Sequence, residues 1–279
     1  MLIAQITDIH LGFDRGNPEE MNKQRLDRVL ATLLELKPQP DLVFATGDLV
    51  EHGDVESYER LRAALSTLPF PVHYALGNHD LRANFRQVFP EAPVADGFIQ
   101  YAVDGYPVRC LVLDTLEEGR HGGGFCETRA AWLAACLAEA PDTPTLILLH
   151  HPPAAIGIDW MDPGEDEAWI ERLANALAGH DNIVGLISGH VHRAATLDWR
   201  GIKLCVTSST APSIALDLTD INPEHPDGRP MIEAGEPGFA LHRWAGGRLI
   251  SHFAMPQAKV IARYNEDFQP LIREIYEVR

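Results

Sequence analysis

The chain has 279 residues, 46% of them hydrophobic, and carries 40 Asp and Glu against 23 Lys and Arg, a formal net charge of −17 with 13 histidines besides. That is enough apolar material for a large core, so an intrinsically disordered chain is excluded. The acid excess repels phosphate, which speaks against long nucleic acid and against anionic membrane surfaces as partners.

Leu2 to Ile6 predicts a buried strand at the very start. It turns polar at Thr7-Asp8 and lacks the basic start of a signal peptide. With no run of about 18 apolar residues, no membrane helix is expected. Cys110, Cys126, Cys136 and Cys205 form no C-x-x-C pair, which predicts free thiols and a cytoplasmic protein. Leu26, Val29, Leu30, Leu33 and Leu34 recur at helical spacing within Asn22 to Lys37, and Pro38 and Pro40 stop that helix. Leu42 to Thr46 predicts a second strand, Tyr58 to Leu68 a second helix and Val72 to Leu76 a third strand. Phe98 to Val103 and Val108 to Leu113 predict a strand pair across Asp104-Gly105-Tyr106-Pro107. Helices follow near Thr128 to Glu139 and Glu167 to Ala178, with buried strands at Thr145 to Leu149 and Ile183 to Ser188. Hairpins are predicted around Arg200-Gly201 and Ala245-Gly246-Gly247. Thr219 to Pro237, rich in Pro, Gly and acid, reads as a long excursion, either a loose loop or a lid or subunit contact of a homo-oligomer. The expected organisation is one domain over residues 1–255 and a tail over 256–279 with no assigned role.

Five of these strands end in residues of one chemical type. The ends are Asp8-Ile9-His10, Gly47-Asp48, Gly77-Asn78-His79-Asp80, His150-His151-Pro152-Pro153 and Gly189-His190-Val191-His192. Any one block has a bland explanation, a turn aspartate or a solvated histidine. Five in order, each where an α/β sheet binds ligands, point to one pocket. The other histidines have no partner motif, and of these only His52 and His121 could border the pocket.

These ordered blocks, with Ala45-Thr46-Gly47-Asp48-Leu49 and the double proline, resemble the calcineurin-like metallophosphoesterase superfamily. Within it they are most similar to the bacterial branch of class III cyclic nucleotide phosphodiesterases and a glycerophosphodiesterase. The resemblance covers residues 2 to about 210. It implies an α/β fold, a four-layer α/β/β/α sandwich of mixed β-sheets, with a dinuclear metal centre. It assigns Asp48 as the bridging ligand, Asp8, His10 and His192 to the first ion, and Asn78, His150 and His190 to the second. Oxygen and nitrogen donors without sulfur suit Mn, Fe, Co or Zn. His150 directly follows the apolar strand, so it takes the ligand slot and the adjacent His151 faces away, behind a ligand or toward substrate. The expected reaction is in-line attack of metal-activated water on a small phosphodiester. His79 would serve the leaving group as general acid, and Asp80 would orient His79. The rivals are a phosphomonoesterase, for which Arg193 is the one arginine beside a motif, a nuclease, and a non-catalytic scaffold that binds a protein partner. Phe13, Asp14, Arg15, Trp160 and the 208–217 segment are the expected pocket walls.

Overall fold

Strand and helix alternate because short apolar runs are separated by amphipathic stretches of the length each element needs. The computed structural model describes residues 1–164, 166–256 and 260–277. The first part of the chain runs β1 (Leu2–Ile6), α1 (Met21–Glu35), β2 (Leu42–Thr46), α2 (Val55–Leu65), β3 (Val72–Ala75) and α3 (Arg82–Val88). The middle runs β4 (Tyr101–Val103), β5 (Arg109–Val112), α4 (Glu127–Glu139), β6 (Thr145–Leu148), α5 (Ala168–Leu177) and β7 (Ile183–Ser188). Then come β8 (Ala195–Trp199), β9 (Ile202–Val206), β10 (Ser213–Ile214), β11 (Ile232–Glu233), β12 (Phe239–Ala245), β13 (Arg248–Ala254) and α6 (Gln269–Glu277).

Two mixed sheets face each other. One has the order β13-β12-β1-β2-β3, the other β4-β5-β6-β7-β9-β8. β1, β2 and β3 are parallel, as are β5, β6, β7 and β9, while the hairpin strands join antiparallel. Alternation along the strands makes the layers. Cys110, Val112, Leu146 and Leu148 face the first sheet, in one core with α1 and α2. Leu111, Leu113, Ile147 and Leu149 face the other way, onto Leu133 and Leu137 of α4 and Trp169, Leu173 and Leu177 of α5. This is the expected sandwich, two mixed sheets flanked by helices.

Three expectations need correction. The strand expected from Phe98 begins only at Tyr101, because Asp96 and Gly97 turn at positive φ and Phe98 pairs back with Ala95. Helices α3 and α6 were not anticipated; α3 has seven residues and no side-chain cap, so it leaves little periodic signal. The 219–237 excursion is tethered rather than loose: Ile232 and Glu233 pair with Ile214 and Ser213. Arg25 on α1 donates to the carbonyls of Thr210, Ala211 and Gly235. No helix among the described residues is long and apolar enough to cross a membrane, and all four cysteines are free thiols.

Candidate metal centre

The parallel strands of both sheets deliver their C-terminal ends to one place. The first two loops are spliced there: Asp8 N donates to Gly47 O at 3.0 Å, and Ile9 N and His10 N donate to Asp48 O at 2.8 and 2.9 Å. Asp8, His10, Asp48, His190 and His192 all sit at positive φ, between 46° and 76°. Residues with a Cβ seldom adopt that conformation, and each instance costs about 1–3 kcal/mol that surrounding contacts must offset. The strain turns five side chains inward together. The motif glycines serve the same crowding. A Cβ at Gly77 would overlap the Asp48 carboxylate and backbone, and one at Gly189 would overlap Thr7 and Asp8.

Ligand atoms of Asp8, His10, Asp48 and His192 lie within 4.8 Å of one another. His150, His151 and His190 form a second such group. Asp48 lies between the two, with Oδ2 3.5 Å from His10 Nε2 and 3.4 Å from His150 Nε2. Its Oδ1 accepts from His79 N at 2.9 Å. Asn78 Oδ1 is 3.1 Å from His190 Nδ1. Three imidazoles are held so that Nε2 faces the centre. His10 Nδ1 donates to Glu51 Oε2 at 2.7 Å, His150 Nδ1 to Thr46 O at 2.8 Å and His192 Nδ1 to Pro212 O at 2.8 Å. An acceptor behind each ring fixes the tautomer whose Nε2 lone pair is free to coordinate. The His10 and His192 Nε2 atoms stand 3.1 Å apart, and His150 Nε2 is buried with no hydrogen-bond partner. Converging, unpartnered donors of this kind fit divalent cations.

Electrostatics agree with that fit. Burial would lift the Asp48 carboxyl, yet the His150, His10 and His79 imidazoles outweigh it and hold it well below the usual carboxylate range. Burial would lower His150, but Asp48 and Asp8 raise it to about 9. His10 is raised as well, because the Glu51 hydrogen bond and nearby carboxylates outweigh its burial. Burial, reinforced by neighbouring imidazoles, pushes His151 and His190 well down, so both are neutral.

One expected role looks different in place. Asp80 does not touch His79. Its Oδ1 accepts from Tyr58 Oη at 2.8 Å, and its Oδ2 from Gly77 N at 2.9 Å and Leu49 N at 3.2 Å, so it braces the two ligand loops from behind. The reason is the tight turn from Gly77 to Asp80, which points the carboxylate back at the turn's own N–H groups. His79 is held instead by Glu51: Nδ1 lies 2.9 Å from Glu51 O and 3.7 Å from Oε1. His151 is 2% exposed, packs against His150 and His190, and has Nδ1 2.9 Å from Thr115 Oγ1.

A cavity of 320 Å³ opens over Asp48, Asn78, His79, His190 and His192. Its outer wall is apolar: Phe13, Met21, Trp160, Met161, Ile214 and Ile232. Phe13, Trp160 and part of the 208–217 segment are where they were expected, while Asp14 and Arg15 do not line the cavity. Glu20 folds the Phe13 loop by accepting from Gly12 N at 2.7 Å and Asp14 N at 3.0 Å. Among the described residues, no Lys or Arg lines the cavity. Arg193 instead pairs with Glu233 at 2.7 Å and donates to Ile214 O. Sequence reasoning missed Glu51 and left His121 at the pocket border without a role. His121 also lines the cavity, its ring edge-on to His190 with centroids 4.9 Å apart. A larger groove of 670 Å³, between β3 and β4, contains none of these side chains.

The pattern of calcineurin-like phosphoesterases matches residues 1–194. The chain belongs to this family. It is 31% identical over 249 residues to a probable glycerophosphodiester phosphodiesterase of Arcobacter nitrofigilis, covering 88% of this chain and 89% of that one. It is 36% identical over 205 residues to a probable cyclic nucleotide phosphodiesterase of Rhodopseudomonas palustris, covering 70% and 72%. Among solved structures, a dimetal phosphatase from Danio rerio superposes with a TM-score of 0.62 at 17% identity over 92% of this chain and 99% of that one, a likeness of fold. The chain is thus a metallophosphoesterase whose buried His and Asp groups match the dimetal site typical of the family.

Proposed function

We propose that the protein hydrolyses a small phosphodiester at a dinuclear metal centre. Asp8, His10, Asp48 and His192 would hold one ion; Asp48, Asn78, His150 and His190 would hold the other. When bound, the ions would activate water near neutral pH and neutralise charge on the phosphoryl oxygens. The protein side chains do the rest. Asp48 is kept ionised between the two groups. With Nδ1 of His79 donating to Glu51 O, its Nε2 is left to face a leaving-group oxygen, to which the imidazolium form of the ring would pass its Nε2 proton.

The observation that carries the choice of diester over monoester is the lining of the cavity. A monoester dianion calls for an additional cationic clamp, and among the described residues no guanidinium or ammonium lines this cavity. A diester has a second alcohol substituent to place, and the wall of Phe13, Trp160, Met161 and Ile214 offers it apolar surface beside the phosphate position. The same wall favours a cyclic nucleotide, whose base has a flat apolar face, over a glycerol headgroup, whose hydroxyls need hydrogen-bond partners. The two relatives named as glycerophosphodiester and cyclic nucleotide phosphodiesterases frame that choice. The deciding assay is a panel on metal-reconstituted protein: 3′,5′-cAMP, a 2′,3′-cyclic nucleotide, glycerophosphoethanolamine and a phosphomonoester. Higher kcat/KM for a cyclic nucleotide than for the rest is expected; a monoester turned over faster than every diester would overturn the reading.

A further inference from the structure

The seam between the two sheets is largely apolar, but beneath the metal centre it is crossed by one amide. Gln5, on β1, is fully buried. An amide side chain offers two donor and two acceptor positions, and here all four are taken. Nε2 donates to Thr46 Oγ1 at 2.8 Å and to Ser188 O at 3.0 Å. Oε1 accepts from Thr207 Oγ1 at 2.6 Å and from His242 Nε2 at 3.0 Å. His242 Nδ1 then accepts from Ser251 Oγ at 2.8 Å, so only one tautomer completes the chain. Burial lowers His242 to about 4, which keeps the ring neutral as that tautomer requires. Ser188 O also accepts from Thr207 N at 2.9 Å, closing a ring among β7, β9 and Gln5.

The partners are not scattered. Gln5 lies three residues before Asp8, Thr46 two before Asp48, and Ser188 two before His190. Thr207 leads into the turn whose Pro212 carbonyl holds His192. Apolar packing tolerates small slips between layers, whereas a saturated buried amide admits one orientation and one spacing. We propose that Gln5 is a positioning residue for the dinuclear centre, its amide fixing the C-terminal ends of β1, β2 and β7 against one another so that ligands from both sheets meet at the spacing two ions require. This rests on the dinuclear reading of the site.

The test separates positioning from simple stability. Gln5→Met keeps the volume and removes all four bonds. Tyr101→Phe is the stability control, since the Tyr101 hydroxyl bonds the Tyr74 backbone at 2.8 and 2.9 Å on the far edges of the sheets. Each apoprotein is titrated with Mn²⁺ by calorimetry, and the loaded forms are compared by electron paramagnetic resonance, whose spin coupling depends on the spacing of the two ions. Gln5→Met is expected to weaken the second Mn²⁺ by about tenfold or more and to alter the coupled signal. Tyr101→Phe should lose thermal stability with neither change. If Gln5→Met does not fold, Thr46→Val removes one arm of the clamp and should shift the same two readouts in the same direction. Wild-type affinity for both ions and an unaltered signal, in whichever of these two variants folds, would overturn the proposal. Wild-type protein that binds no pair of Mn²⁺ ions would instead remove the dinuclear reading, and the proposal with it.

Discussion

Replacing Glu51 by Gln tests whether a carboxylate outside the motif blocks sets up the site. Glu51 Oε2 holds His10 Nδ1 at 2.7 Å, and Oε1 lies 3.7 Å from His79 Nδ1. Its side chain is 17% exposed and that of His10 8%, so water screens the pair little. A hydrogen bond to a charged partner contributes about 1.5–3 kcal/mol. The neutral amide keeps the shape and loses that charge. It can also turn its NH2 toward Nδ1, which forces the ring proton onto Nε2 and blocks the coordinating lone pair. At about 1.4 kcal/mol per factor of ten, the expected loss of Mn²⁺ affinity is on the order of 10- to 100-fold, the range seen when partners behind metal ligands are removed. Calorimetric titration of the two apoproteins measures it, with metal-free melting temperatures confirming that both fold. Equal affinity for wild type and Glu51→Gln would refute the assignment of Glu51 as the group that orients His10.

Two further outcomes follow from the same geometry. His150 is raised to about 9 in the metal-free site, so it carries a proton at pH 7 that a cation must displace; Mn²⁺ binding should release protons and tighten as pH rises toward 9. Titrations in two buffers of different ionisation enthalpy read the proton count, and an affinity flat between pH 6 and 8 would contradict it. Phe13 is 64% exposed at the cavity mouth, so Phe13→Ala should leave the melting temperature nearly unchanged, raise KM for 3′,5′-cAMP several-fold and leave glycerophosphoethanolamine unaffected. Parallel losses on both substrates would show that the apolar wall does not select the base.

The convergence of the motif residues was legible because each block follows an apolar strand, and parallel strands in one sheet end on the same side. Individual strands were legible from apolar runs such as Leu42 to Thr46 and Ile183 to Ser188, whereas their division into two sheets followed from the resemblance alone. Partners that depend on turn geometry were not. Asp80 directly follows His79 and so looked like its orienting carboxylate, but the Gly77–Asp80 turn aims it at Gly77 N and Leu49 N. Glu51 reads as an ordinary loop acid in Glu51-His52-Gly53; only the splice of the first two loops brings it to His10. His121 sits in a glycine-rich run with no period, and the fold alone carries it to His190. Gln5 was hidden by its position inside an apolar strand, where a single polar residue has no pattern to betray it.

The central claim is that Asp48 joins two ions that together hydrolyse a diester. The most direct measurement is turnover of a model aryl diester and of its monoester as Mn²⁺ is added to metal-stripped protein, for wild type and Asp48→Ala. Diester turnover should be negligible without metal, plateau at two equivalents, exceed monoester turnover and vanish in Asp48→Ala. Metal-stripped protein that hydrolyses the diester as fast as the loaded form, or a plateau at one equivalent, would contradict it.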